Sequence, residues 1–274
     1  MMRRARGDNL MPTILQPLTT GQLLDRTFTL YRKHFVLFMT IGCIPHLVLF
    51  LMQVGAVALA SILGPLAVML STFSGIILYV AFLALSQAAT TIAVSDVYLD
   101  RPVDATSAYK AVAPHTLRYV GIILGVGMAI GFGFLALIIP GVYLAVTYAL
   151  SITASTLEGT GFSASTQRSK ELSKGNRGRI AIIFLLNIIL TYAAALALAI
   201  PAAMLGEALG RDQMVLRVAL NALAGFLAGT LVAPVALIAF TLAYYDVRVR
   251  REAFDLHLLM QQNQSAAAAA NAIV

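Results

Sequence analysis

Four polar side chains that could do chemistry lie inside stretches that carry no charge: His46, Gln53, Gln87 and Asn187. His46 is the one deep group that titrates near neutral pH, and an ionisable side chain inside a membrane span is a candidate for proton relay or ligand binding. A bland use stands beside that one. Pro45 leaves the carbonyl four residues earlier without its helical donor, and a neutral imidazole next to it can donate to a freed carbonyl. The amides of Gln53, Gln87 and Asn187, with Asn221, suit bonding between helices in lipid, or they can face a cavity as ligand groups. His34, His115 and His257 are far apart and show no metal-ligand spacing. The sequence has no HExxH, no GxSxG and no Walker loop, and Cys43 stands alone as an apolar filler. No catalytic residue, cofactor or metal is expected.

A second set of chemically capable residues stands at the ends of the apolar stretches. Asp96, Glu158 and Asp246 each close one, and a basic amphipathic segment follows each. A carboxylate at a helix C-terminus meets the negative end of the macrodipole, at a cost of about 0.3–1 kcal/mol. Three such placements predict local compensation. The expected ion-pair ring joins Asp96, Glu158 and Asp246 to Arg26, Arg168 and Arg248, with Arg32, Arg118, Arg179 and Arg250 also within the segments concerned. Asp100 and Asp255 lie near the same boundary, so a gathered-carboxylate site stands as the alternative to structural pairing.

The elements that must position these residues are membrane helices. Only 11% of the 274 residues are charged, less than half the ~25% of a soluble domain. Asp, Glu, Lys and Arg are absent from 34–95, 119–157, 180–206 and 218–245. A crossing takes about 20 apolar residues, so the first two gaps hold two each and the last two hold one each. Gly64–Pro65 and Pro140–Gly141 are the expected outer turns. Six spans put seventeen of the nineteen lysines and arginines on one face, leaving Arg211 and Arg217 on the other. Reading 119–157 as a single crossing would give eleven against eight, so the positive-inside rule selects six spans with both termini cytoplasmic.

The fold expected is all-α: a polytopic membrane protein of six transmembrane helices with amphipathic cytoplasmic interfacial helices. The segment 18–35 carries Leu23, Leu24, Phe28, Leu30, Tyr31 and Phe35 on one stripe, as a helix lying in the headgroup region would. An interfacial helix followed by two crossings recurs three times, which predicts a threefold internal repeat. Glycines four apart, Gly121/Gly125 and Gly127/Gly131, predict close helix approach in the third span. Residues 18–260 form one membrane domain. Residues 1–17 are expected to be a flexible extension, with Met11 an alternative start, and 261–274 a disordered tail of Gln, Asn, Ser and Ala.

The stretches LQPLTTGQLLDRTFTLYRKHF, PGVYLAVTYALSITASTLEG, RSKELSKGNRGRI and YYDVRVRREAFDL together resemble the membrane domain of bacterial glycerophosphoryl diester phosphodiesterases and its stand-alone relatives, over about 15–260. In that family's enzymes catalysis belongs to a separate barrel domain of about 250 residues. No stretch of this sequence approaches one, so the resemblance implies a fold and a compartment, the bacterial cytoplasmic membrane, and no reaction.

The function expected is a non-catalytic scaffold or anchor for lipid or a protein partner. Anionic inner-leaflet lipid is the expected partner, since basic residues near that surface gain about 1 kcal/mol each. The clustering of the +7 net charge at one membrane face argues against nucleic acid. The alternative is a transporter or channel for a small or amphiphilic solute. A polar-lined cavity reaching His46, Gln53 or Asn187 would favour transport, and a solid Gly/Ala interior would favour the scaffold.

Overall fold

The computed structural model describes residues 18–208 and 213–252, and every regular element among them is helical. The 1–17 extension, Arg211, Asp255, His257 and the 261–274 tail lie outside the described residues. Six helices are long and apolar enough to cross a membrane: Phe35–Ala60, Val68–Tyr98, Ala105–Ala136, Ile138–Glu158, Arg177–Ala208 and Met214–Glu252. The chain is an all-α polytopic membrane protein, and these are its spans one to six.

Helix α1, Thr20–Lys33, starts at a capping box in which Thr19 and Gln22 satisfy each other's backbone donors. Its apolar stripe is shared between the bundle and the surroundings. Leu24, Thr27 and Phe28 sit in a crevice with Ile183 and Leu186 of span five and Val235 and Ala239 of span six. The Tyr31 hydroxyl donates to Leu231 O at 2.8 Å, fifteen positions along span six from Asp246. Leu23 and Thr27 are fully buried against the bundle, while Phe28 and Phe35 of the stripe stay exposed.

Helix α2, Phe35–Tyr98, carries spans one and two and reverses at Gly64, whose φ of 76° lies in the left-handed region that glycine enters without a Cβ clash. Helix α3, Ala105–Val112, is capped by Asp104 and runs through a short 3₁₀ turn into α4, Thr116–Ala136. The reversal after α4 falls at extended Leu137. Pro140 and Gly141 lie instead in the first turn of α5, Ile138–Tyr148, where a proline costs no helical hydrogen bond. Gly141 meets Gly133 across this turn, at 3.0 Å between its Cα and a Cβ placed on Gly133. The expected glycine pairs do not form a helix contact: a Cβ on Gly121, Gly127 or Gly131 would meet nothing, and Gly125 receives the Phe162 ring.

Span four is two helices, α5 and α6, Ser151–Glu158, with a break at Ala149–Leu150 that no glycine or proline announces. The break is held by α7, Phe162–Ser173. Ser169 Oγ donates to Thr147 O at 2.8 Å and accepts from Leu150 N–H at 3.1 Å. Ser173 Oγ donates to Thr147 O at 3.2 Å. A helix end leaves its last carbonyls without intrahelical partners, and these serines supply them.

Helices α8, Arg177–Ala208, and α9, Met214–Glu252, run through Pro201 and Pro234 without ending. Helix α9 is the core of the bundle, packed on α1, α2 and α8 and buried almost continuously from Val232 to Val249. Its small residues permit that. Pro234 Cγ lies 3.2 Å from where a Gly42 Cβ would be, and a Cβ on Gly229 would run into the His46 ring. Spans one and six thus cross on glycines, the small-residue packing that lets backbones approach in lipid. The order of short helix then two crossings recurs with α1, α3 and α7.

Candidate functional site

The three acids that close spans two, four and six gather at one end of the bundle with most of the described basic residues; this is the charged end. Asp246, its side chain fully buried, is held from three sides. Arg179 Nη1 reaches its Oδ2 at 2.5 Å and Arg250 Nε reaches the same oxygen at 2.9 Å. Its Oδ1 accepts the Leu18 N–H at 2.5 Å. The Leu18 carbonyl in turn accepts from Arg179 and Arg250, at 2.8 and 2.6 Å. The peptide entering α1 is thereby clasped to spans five and six, with donor and acceptor both used.

Glu158 belongs to a closed circuit. Arg168 Nε donates to it at 2.8 Å, and the other arm of Arg168 reaches Glu252 at 2.5 Å. Arg248 Nε donates to Glu252 at 2.9 Å and its Nη1 to the Tyr244 hydroxyl at 3.3 Å. Tyr244 closes the circuit by donating to Glu158 at 2.7 Å. Burial lowers the proton affinity of the Arg168 guanidinium, but its bonds to Glu158 and Glu252 outweigh that and hold it above its ordinary value. Two cations and two anions make the circuit neutral, and it ties α6, α7 and α9 together.

Asp96 is the weak member. Its one ion pair among the described residues is with Arg101, five residues on, at 3.9 Å and with the arginine mostly exposed. Arg26 forms no ion pair among the described residues and instead stacks 4.9 Å over the Tyr98 ring. The expected ring thus resolves into a clasp at Asp246, a circuit at Glu158 that draws in Arg248 through Glu252 and Tyr244, and a marginal contact at Asp96. Asp246 with Arg250 is an i,i+4 pair readable from spacing. Tyr244 is expected with Tyr245 as a boundary aromatic, whereas Glu252 and the Leu18 peptide are participants that residue patterns did not single out. The serines of α7 carried a signal, since Ser165, Ser169 and Ser173 recur every four residues.

Deeper along the same helices lies a cavity of about 470 Å³ to which all six spans contribute. Its walls are mainly apolar, and among the described residues no Asp, Glu, Lys or Arg lines it. Of the four intramembrane polar residues, His46, Gln87 and Asn187 line this cavity, and Gln53 is exposed on span one away from it. The carbonyl that Pro45 frees is Ile41 O, and His46 is not its partner. Ser86 and Tyr109 take it, at 3.1 and 2.7 Å. His46 Nδ1 donates instead to Gly42 O at 2.8 Å, which leaves Nε2 of the neutral ring as an acceptor. The side-chain amides of Gln87 and Asn187 have no hydrogen-bond partner among the described residues, and the buried Ser151 hydroxyl at the cavity wall has none either. Asn221 bonds within its own helix, to Arg217 O at 3.0 Å.

Helix α4 packs against α2, α5, α6 and α7, and no comparable packing joins it to α8 or α9 among the described residues. The cavity fills that separation. Compared with protein-family models, curated proteins and solved structures, the chain matches none.

Proposed function

We propose that the chain is a non-catalytic, lipid-holding module of the bacterial cytoplasmic membrane, a stand-alone relative of the phosphodiesterase membrane domain, with its charged end at the cytoplasmic face. The observation that carries this reading is the cavity. A volume of about 470 Å³, apolar walls and a few unpaired neutral polar groups are the properties of a ligand site rather than of a packed core. Its position beside the separation between α4 and α8 gives a lipid a sideways route. The asymmetry of seventeen basic residues against two supports the orientation and an anionic inner-leaflet lipid as the ligand. The clasp ties α1 to spans five and six and the circuit ties α6 and α7 to span six, which fixes the charged end beside the cavity.

A second reading is kept by one observation: His46, Gln87 and Asn187 all face the cavity, as in a carrier for a small amphiphilic solute. Lipid extracted from the purified chain separates the two. Gly127 lines the cavity and a Cβ there meets no neighbour within 4 Å, so Gly127→Phe is the variant chosen to place a ring in that space. A defined lipid should co-purify with the wild type and fall several-fold in the variant. Lipid content equal in both would contradict the holding site, and solute flux through wild-type vesicles, lost in the variant, would support the carrier.

A further inference from the structure

We propose that the cavity is one half of a divided site whose other half binds the phosphate of an anionic phospholipid; this rests on the lipid-holding reading and names its ligand. A second recess, of about 410 Å³, lies against α7 and is lined by Ser163, Thr166, Gln167, Lys170, Glu171, Lys174 and Tyr148. Tyr148 is also a wall of the intramembrane cavity. It is the one residue common to both, and its hydroxyl has no hydrogen-bond partner among the described residues. Residues 163, 166, 167, 170 and 174 fall on a single helical face, with hydroxyls toward one end and ammonium groups toward the other.

The charges decide what this face takes. Arg168, Arg179, Arg248 and Arg250 spend their charge on Glu158, Asp246 and Glu252. Lys170 and Lys174 form no ion pair among the described residues. Glu171, the one acid in the recess, accepts from Gln167 at 3.2 Å, which leaves the recess a net single positive charge. Ser169 and Ser173, on the adjoining face of α7, bond it to the α5–α6 break, which seats the helix that carries the lysines beside Tyr148. The cavity offers the complementary chemistry. It has no cation for a phosphate, but its apolar walls suit acyl chain. Gln87, Asn187 and Ser151 suit the ester and hydroxyl oxygens between chain and headgroup. A neutral lipid would leave the lysines unused, and a free anion would leave the cavity unfilled.

The chain contains no tryptophan, so one introduced residue reports alone. Phe240 lines the cavity and is 9% exposed, so Phe240→Trp is reached by cavity-bound lipid and shielded from bulk lipid. The full-length variant would be placed in phosphatidylcholine vesicles containing brominated phosphatidylglycerol or brominated phosphatidylcholine. Phosphatidylglycerol should quench at about thirtyfold lower mole fraction, as expected of two lysines at a membrane surface. Lys170→Gln with Lys174→Gln should bring the two lipids together, and inorganic phosphate should not relieve the quenching. Equal quenching by both lipids before any lysine change overturns the phosphate half and leaves the lipid-holding reading standing. Relief by inorganic phosphate assigns the recess to a free anion and also overturns it. No quenching of Phe240→Trp, while lipid-facing Ile189→Trp is quenched, overturns both. Phe184→Trp, 5.0 Å from the Phe240 ring, repeats the measurement if the first variant does not fold.

Discussion

At the charged end, carboxylates, guanidiniums and even the Leu18 peptide are paired with one another, whereas farther along the same helices Ser151, Gln87 and Asn187 face a cavity without protein partners among the described residues. The two regions draw on the same spans, so the difference is not one of helix quality. Leaving a buried polar group unpaired costs about 1–3 kcal/mol. At the cavity wall that cost falls on the buried Ser151 hydroxyl, which the proposed ligand would relieve. The charged end is the frame, and in the proposed reading the cavity beside it is the ligand site.

Breaking the frame should have the largest effect. Asp246→Asn removes the charge that two arginines and one peptide N–H share, and uncoupling a buried pair costs about 3–5 kcal/mol. Thermal unfolding in detergent should show a large drop. A loss below about 1 kcal/mol would mean that the clasp is no more than a surface ion pair. Next comes the crossing that bounds the cavity. Gly229→Val drives a side chain into His46 and should cost about 1–3 kcal/mol by overpacking. Ser169→Ala leaves Leu150 N–H without its acceptor at the span-four break and should cost about 1–3 kcal/mol, with faster proteolysis between α6 and α7 as a second readout. Asp96→Asn should be the smallest change, about 0–1 kcal/mol, because its pair with Arg101 is long and exposed. If Asp96→Asn matched Asp246→Asn, position at a span end rather than burial would govern these acids.

The parts of this arrangement that show in the sequence are those governed by one-dimensional patterns. Gaps between charges locate all six spans, and Gly64 marks its turn because only glycine enters that backbone region cheaply. Glu158 with Arg168 and Asp246 with Arg179 lie among the acid–arginine pairings that the segment ends predict. What did not show depends on contacts between distant segments. The Leu18 peptide is a partner through its backbone, which no residue type advertises. The α5–α6 break is imposed by serines twenty positions downstream, against a local sequence that favours continuing the helix. The contact of α1 with α8 and α9 could not be read from its stripe, because an apolar face suits lipid and protein equally well. The cavity is likewise a property of the sparse packing between α4 and α8 among the described residues, which no single segment encodes.

The most direct test of the division between frame and ligand site is the melting temperature of wild type and Gly127→Phe as phosphatidylglycerol is added to the detergent-solubilised chain. A ligand bound only by the folded state stabilises it by about 2.7 kcal/mol at a hundredfold excess over its Kd. The wild-type transition should climb by several degrees with added lipid. That of Gly127→Phe should start near the lipid-free wild type and stay flat. Equal climbs in the two proteins would place the lipid outside the cavity, and no climb in either would contradict the holding site itself.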